Sequence, residues 1–172
     1  MAFTTALKNS TNIRKFDFEV YIYQGDMTAA ISTFNGIDSD EFLDGTLGFL
    51  NAFTEITKIE RSTIIANTED GDSIETNDGQ TNIIDKNGNV ALSLVSVTLD
   101  AITTLRGLNR QDVSFLFVEK CNDKRFLVFI PVATLKYNEA FTSGDVLRLP
   151  ISAMKQVSKS GDFLYFKEYT NS

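Results

Sequence analysis

The stretch that decides the fold is VALSLVSVTLDAITTLRGLNRQDVSFLFVEK, residues 90–120. Apolar runs stand at its two ends, over residues 90–97 and 113–118. Between the runs, apolar side chains recur at every third position, which is the spacing of one helical face. These side chains are Leu99, Ile102 and Leu105. The stretch therefore predicts a strand, a short helix and a second strand.

Both ends of the predicted helix carry capping signals. Thr98 can accept a hydrogen bond from the first turn, where Asp100 also favours the positive end of the helix dipole. Gly107 is expected to end the helix, because glycine adopts the left-handed conformation of a C-cap without strain. The sequence thus predicts one flanking helix over about residues 98–108, and this unit contains no groups arranged for chemistry.

Downstream of this unit, the chain continues as strands separated by short turns. Residues 125–130 are apolar on both faces, as in a central strand, and Pro131 is expected to end that strand. Residues 121–124 would join it to the preceding strand as a hairpin turn. Further strands are predicted over 133–137, 146–153 and 163–169, with turns at 143–145 and 160–162.

Upstream, residues 16–23 alternate strictly between apolar and polar side chains. Such alternation predicts a strand with one buried face. A turn over 24–26 and a second strand over 27–34 would complete a hairpin. Residues 35–51 are assigned to a loop with a helical turn, and residues 53–66 to one long or two short strands. The buried face of the first strand would carry Phe16, Phe18, Val20 and Ile22.

The main irregular segment is a long projecting loop over residues 67–89. Its Asp-Gly and Asn-Gly pairs favour tight turns, because glycine accepts a positive φ at no steric cost. A short strand over 80–85 would make the segment a projecting hairpin, and contact between subunits is a use that suits such an excursion. The residues assigned to this assembly loop are Asp70, Asp72, Asp78, Gly79, Asn87 and Gly88.

The element pattern bounds the fold class. Roughly eight to ten short strands with one helix predict a mainly β protein, an antiparallel β-sandwich or barrel rather than a parallel α/β sheet. The 172 residues suit one domain. We expect a flexible N-terminal arm over residues 1–12 and a single β-barrel or sandwich domain over 13–172. No apolar run approaches the roughly 20 residues that span a bilayer, so no membrane anchor is expected.

The net charge of −7 is distributed unevenly along the chain. Residues 38–78 contain eleven acidic and two basic side chains, whereas the remainder of the chain is weakly basic. An acidic surface repels phosphate backbones, so a protein that grips nucleic acid is not expected. A solvated acidic loop that keeps the protein soluble is the simpler interpretation.

The residue content argues against an enzyme. The chain has no histidine, which removes Ser-His and Cys-His catalytic pairs together with histidine-ligated metal sites. The single cysteine, Cys121, has no partner base and cannot build a thiolate zinc site. No glycine-rich phosphate loop occurs, and no tryptophan is present to line a sugar cleft beside the acidic residues. We expect a non-enzymatic protein without a cofactor.

A weak calcium candidate lies within the acidic segment. Asp70, Asp72 and Glu75 supply hard oxygen ligands of the kind that calcium prefers. They do not follow the full pattern of a calcium loop, because its alternating acidic ligands, central glycine and terminal glutamate are missing. A solvated turn is therefore favoured, with calcium binding as the alternative.

The order of elements between about residues 70 and 157 resembles the core of bacteriophage tail tube proteins, including hub-like β-barrels of the same type. The likeness begins with the acidic turn Asp78-Gly79-Gln80-Thr81. It continues through the strand at 90–97, the helix at 99–108 and the strand at 113–119. The later strands extend it as far as Leu147-Arg148-Leu149-Pro150-Ile151-Ser152-Ala153.

The resemblance implies a structural role in a virion. Members of that family are similar to one another as small β-barrels with a flanking helix, and they assemble into rings, typically sixfold, that a long loop stacks into a tube. This chain would then belong to a phage tail, after synthesis in the host cytoplasm, and its partners would be copies of itself and other tail or head-tail connector proteins. DNA would pass through an acidic lumen without specific binding. Residues 67–89 would form the inter-ring loop, and residues 2–12 an arm on a neighbour.

Other functions fit the same composition. A tail hub, a tail terminator or an adaptor ring protein could share the fold. A capsid decoration protein or an adhesin-like β-sandwich binding module would also share it, but would form a monomer, dimer or trimer and no tube. A calcium-dependent binding domain would differ from all of these, because calcium would stabilise it against heat.

Overall fold

The computed structural model describes residues 18–46, 48–95, 98–121, 123–139 and 148–170, with the side chains at 120 and 121 excepted. The arm predicted over residues 1–12 and the turn predicted at 143–145 lie outside these ranges, so the division into an arm and one domain stays a prediction. In the described part of the chain, no helix has the length and apolar character needed to cross a membrane.

Strands dominate the described residues, and the helical segments are short. The strands are β1 (Phe18–Gln24), β2 (Thr54–Ile56), β3 (Ile65–Asp70), β4 (Ser73–Glu75), β5 (Thr81–Ile83), β6 (Asp85–Leu94), β7 (Asp112–Cys121), β8 (Lys124–Tyr137), β9 (Leu149–Ser158) and β10 (Tyr165–Thr170). The α-helices are α1 (Ile31–Asn35), α2 (Asp40–Asp44) and α3 (Leu99–Leu108), and 3-10 turns occupy Thr28–Ala30, Phe49–Ala52 and Arg61–Thr63.

The main sheet is antiparallel throughout, with the strand order β2-β1-β7-β8-β9-β6-β3. It forks at β8, because this strand is long enough to pair with two strands along one edge. The first half of β8 pairs with β10, and its last four residues pair with β9. The predicted mainly β, antiparallel fold is confirmed.

The segment that follows β2, at one end of the strand order, forms a bridge to β6, near the other end. Ile59 forms an antiparallel bridge with Leu94. Two backbone hydrogen bonds flank this bridge, from Glu60 N to Ser93 O at 2.9 Å and from Val95 N to Lys58 O at 2.8 Å. Because β2 also pairs with β1, residues 54–60 close the sheet into a barrel.

The barrel interior is the main hydrophobic core, and α3 packs at one of its ends. Leu105 is the buried residue of α3, and Thr98 Oγ1 accepts the hydrogen bond of Ala101 N at 3.2 Å, as the capping signal predicts. Gly107 does not end the helix, which continues to Leu108. The chain turns instead at Arg110, which has a φ of 66°. Core residues include Val20, Leu92, Phe115, Ile130, Leu135 and Ile151.

A second core covers the outer face of β7, β8 and β10. The strand predicted over residues 27–34 is wrong, since this segment forms a 3-10 turn and α1. Asp26 starts the helical turn by accepting the backbone N–H of Thr28 at 2.7 Å, and hydrogen bonds from Thr28 lower the pKa of Asp26. The ring centroids of Phe34 and Phe129 lie 5.0 Å apart. Helical packing on the barrel therefore overrides the strand pattern, and β1 pairs with β2 and β7 instead.

Pro131 does not end its strand as predicted, because β8 continues through it to Tyr137. The register shifts beside it, since Val113 pairs with Ala133 whereas Phe115 pairs with Ile130. This bulge leaves an extra residue on β8, where the missing proline N–H breaks no ladder hydrogen bond. The Pro131 carbonyl accepts hydrogen bonds from Ser114 Oγ at 2.6 Å and Met27 N at 2.8 Å.

A partly buried polar network attaches α2 to the barrel. Arg125 donates to both carboxylate oxygens of Asp40, at 3.1 and 2.9 Å, and the Tyr169 hydroxyl donates to Asp40 at 2.8 Å. Burial and the hydrogen bond to Asp40 raise the pKa of Tyr169. The network fixes the position of α2, whose Leu43 is fully buried.

Replacing Arg125 by methionine is expected to lower the free energy of unfolding by about 2 kcal/mol. The Asp40 side chain is only 25% exposed, and its carboxylate would lose a charged partner that donates two hydrogen bonds to it. Urea denaturation followed by circular dichroism measures the change. The control is Arg106→Met, which breaks an exposed ion pair with Glu139 and should cost less than about 1 kcal/mol. Equal losses for the two variants would contradict the assigned role of Arg125.

Candidate assembly surface

Strands β3 to β6 form one long hairpin with an unchanged register. Between its two ladders, Gly71 N donates to Asp85 O at 3.0 Å, and Ile84 N donates to Asp72 O at 2.8 Å. The excursion predicted from the sequence is therefore a hairpin, and β5 lies where its return strand was expected. The paired positions include Ile65 with Ala91, Asp70 with Lys86, Ser73 with Ile83, and Glu75 with Thr81.

The outer part of this hairpin extends beyond the sheet. Strand β9 pairs with β6 only as far as Asp85, which lies opposite Ser158. Residues 71–84 therefore have no neighbouring strand, within the described residues, except each other. With a rise of about 3.3 Å per residue, this part extends about 20 Å past β9. We name residues 71–84 the projecting hairpin.

The tip is a three-residue turn over residues 77–79, closed by the hydrogen bond from Thr76 N to Gln80 O at 2.8 Å. Gly79 N donates to Thr76 O at 2.9 Å, and Gly79 has a φ of 76°, the left-handed conformation that this turn requires. Asp78 accepts hydrogen bonds from the Thr76 hydroxyl and from Gln80 N, and both lower the pKa of its carboxyl. The structure thus places the predicted residues Asp78 and Gly79 at the tip.

The base of the projecting hairpin is fixed to the barrel by Asp85. Its Oδ1 accepts the hydrogen bond of Asp72 N at 2.7 Å, and its Oδ2 accepts one from the Gln156 side chain on β9. A Cβ on Gly71 would overlap the Asp85 carboxylate, so glycine leaves room for it. These contacts define the direction in which the projecting hairpin leaves the sheet.

Two apolar side chains on the projecting hairpin face solvent. Ile74 is 56% exposed and Ile84 is 49% exposed. Because the register is constant, both fall on the same face of the hairpin. Their surroundings are acidic, since residues 69–85 contain six acidic and no basic side chains. An exposed apolar pair on a projecting element indicates a contact surface. Sequence reasoning missed this pair, although isoleucines within a polar run are a usable signal.

The sequence predicts that Asn87 and Gly88 lie in the assembly loop, but the structure places both in a strand, and their part in assembly stays a prediction. Both lie in β6 and pair with β3 on one side and β9 on the other. The ring of Phe163, which is 3% exposed, lies where a Cβ on residue 88 would have to be, and this accounts for the glycine. Glycine here allows a ring to approach the backbone and forms no turn. Asp70 is likewise the last residue of β3 rather than part of the projecting hairpin.

The weak calcium candidate is not assembled as a cluster. Within the ranges that the structure describes, no three acidic or cysteine side chains lie together as a metal site would need. Strand alternation offers a physical reason, since Asp70 and Asp72 occupy positions of one parity and Glu75 a position of the other. The hydrogen bonds of Asp85 also use both of its oxygens in holding the hairpin.

Comparisons with known proteins support no family assignment. No family model matches the chain, and no curated protein is similar to it. Among solved structures, the chain is similar to a chain in the cryo-EM structure of the anti-feeding prophage (AFP) baseplate, 6-fold symmetrised. The two chains share 10% identity over 92% of this chain and 96% of that one, with a TM-score of 0.33.

Proposed function

We propose that this chain is a non-enzymatic virion structural protein of a tailed bacteriophage. It self-assembles into rings or a tube that forms part of the tail and the DNA conduit. The observation that supports this most directly is the projecting hairpin, which holds Ile74 and Ile84 in solvent on a fixed base. Because each side chain is about half exposed, burying the exposed part of both against another copy would stabilise the contact by about 1.5–3 kcal/mol.

A projecting element also favours an assembly that propagates. If the hairpin of one copy contacts a different surface on the next, the interface is head-to-tail, and such interfaces close into rings or continue as tubes. The open edges of β3 and β10 add a second possible contact, because neither edge has a second neighbour among the described strands. Ile65, on β3, is 56% exposed.

The charge distribution suits a conduit for DNA. The projecting hairpin is acidic and the whole chain carries −7, so a lumen lined by such surfaces would not retain phosphate backbones. In this proposal the protein is made in the host cytoplasm and is incorporated into the virion tail. Its partners there are copies of itself and other tail or head-tail connector proteins.

Native mass spectrometry of the full chain over a concentration series, paired with negative-stain electron microscopy, tests the proposal. Closed rings or stacked tubes are expected, and their mass gives the number of copies per ring. A particle that stays monomeric at every concentration would contradict self-assembly. It would favour the decoration or adhesin-like alternative instead.

A further inference from the structure

An apolar cleft of about 450 Å³ opens between the start of β3 and the start of β10. Its lining residues are aromatic or aliphatic except for Arg61, and Phe166 at its edge is 57% exposed. Exposed aromatic surface of this kind is unfavourable in water unless another group covers it. The residues that line it include Phe18, Phe117, Phe126, Val128, Leu164 and Phe166.

A buried carboxyl group lies beside this cleft. Glu119 on β7 pairs with Phe18 on one side and Phe126 on the other, so both neighbours are cleft residues. The two rings have centroids 6.5 Å apart at an angle of 50°. Glu119 is 3% exposed, and its Oε2 accepts no hydrogen bond from any described residue, including Arg61 in the cleft.

A carboxyl oxygen that is buried without a partner is costly, and native folds seldom retain one. The most effective partner is a positively charged side chain, because it offers charge attraction together with hydrogen bonds. The occupant that this site fits is therefore a peptide segment with a basic residue between apolar ones. The apolar side chains would fill the cleft while the basic residue reaches Glu119.

We propose that the cleft is the docking site of the chain's own N-terminal segment, residues 1–16, and that Arg14 or Lys15 pairs with Glu119. The segment contains three basic and no acidic residues, and Ile13 and Phe16 flank the basic pair. Phe18, whose ring lines the cleft, follows this segment in the chain after one intervening residue, Asp17. The chain before it is therefore tethered at the rim of the site.

The tether favours the same chain over a second copy. Arg14 and Lys15 precede Phe18 by three or four residues, a reach of about 10–14 Å along the backbone. A group held that close has an effective concentration in the millimolar range, well above that of free protein in dilute solution. This inference does not depend on the proposed tail function, since it concerns the single protomer.

The first test compares the effect of Glu119→Gln in two backgrounds of the full chain by urea denaturation. In the parent chain this change removes a paired carboxylate, and we expect the unfolding equilibrium constant to rise about tenfold. In the Arg14→Gln/Lys15→Gln chain it removes an unpaired buried carboxylate, and we expect the urea midpoint to increase. The matched background Lys155→Gln/Lys159→Gln removes the same charge elsewhere and should behave like the parent. The same shift in all backgrounds would overturn the proposal.

The second test identifies the occupant directly. The full chain carries the photocrosslinker p-benzoylphenylalanine in place of Phe166 and is mixed as isotope-labelled and unlabelled copies before irradiation. We expect crosslinks to residues 1–16 that join residues of one copy, at a yield independent of concentration. Crosslinks that join labelled to unlabelled copies would show that a second copy fills the cleft. That result, or crosslinks confined to other parts of the chain, would overturn the proposal.

Discussion

Replacing Gly88 by alanine is expected to lower the free energy of unfolding by about 3 kcal/mol. A Cβ at this position would overlap the ring of Phe163, which is 3% exposed and belongs to the barrel core. The backbone cannot move away, because β6 is hydrogen-bonded to β3 and β9 on its two sides. The ring must therefore leave its site. Urea denaturation of the variant and the parent chain measures the loss.

Gly107→Ala is the matched control, since it adds the same methyl group elsewhere in the chain. Gly107 lies inside α3, and a Cβ there meets nothing within 4 Å. Alanine should stabilise the helix by about 0.5–1 kcal/mol through its higher helix propensity. Phe163→Leu replaces the ring by a smaller side chain. Combined with Gly88→Ala, it should restore part of the free energy of unfolding that the alanine removes. An unchanged stability for Gly88→Ala would show that Phe163 does not require a glycine beneath it.

Gly88 also shows why short-range sequence patterns can predict the wrong secondary structure. Lys86-Asn87-Gly88 has the composition of a tight turn, and nothing beside it in the chain argues otherwise. In the structure these residues pair with β3 and β9, and the contact that requires glycine at position 88 is with Phe163, far along the chain. Residues 27–34 fail in the same way, because their strand-like composition is outweighed by packing of Phe34 against Phe129 on the outer face of the barrel. Pro131 is tolerated because of a bulge that no local pattern indicates.

Where the deciding information is local, the sequence is sufficient. The periodicity of residues 90–120 predicts β6, α3 and β7 in the right order, and Thr98 caps the helix as expected. The tip of the projecting hairpin follows from Asp78 and Gly79, whose turn chemistry is contained in adjacent residues. The sequence does not predict that Ile74 and Ile84 are exposed. Their exposure depends on where the pairing of β9 with β6 ends, which is a property of the whole sheet and not of adjacent residues.

Replacing both Ile74 and Ile84 by serine is expected to weaken assembly strongly while leaving the protomer folded. The two side chains are exposed, so the free energy of unfolding of the protomer should change by less than about 1 kcal/mol. Each isoleucine is already about half buried in the protomer, so burying the rest in the contact between copies is worth about 0.8–1.5 kcal/mol per side chain. Loss of both then weakens each contact by roughly one to two orders of magnitude. Native mass spectrometry and sedimentation velocity measure the assembly, and circular dichroism measures the fold.

Leu99→Ser supplies the control, because it removes an apolar side chain of similar size that is 74% exposed on α3, away from the projecting hairpin. If the hairpin makes the contact, this variant should assemble like the parent chain. Rings or tubes of normal size from the double serine variant would contradict the role of the hairpin. Loss of assembly with Leu99→Ser alone would place the contact at the α3 end of the barrel. The two variants therefore assign the contact to the projecting hairpin or to the α3 end of the barrel. Both remove exposed aliphatic side chains, and they differ in where on the fold those side chains lie.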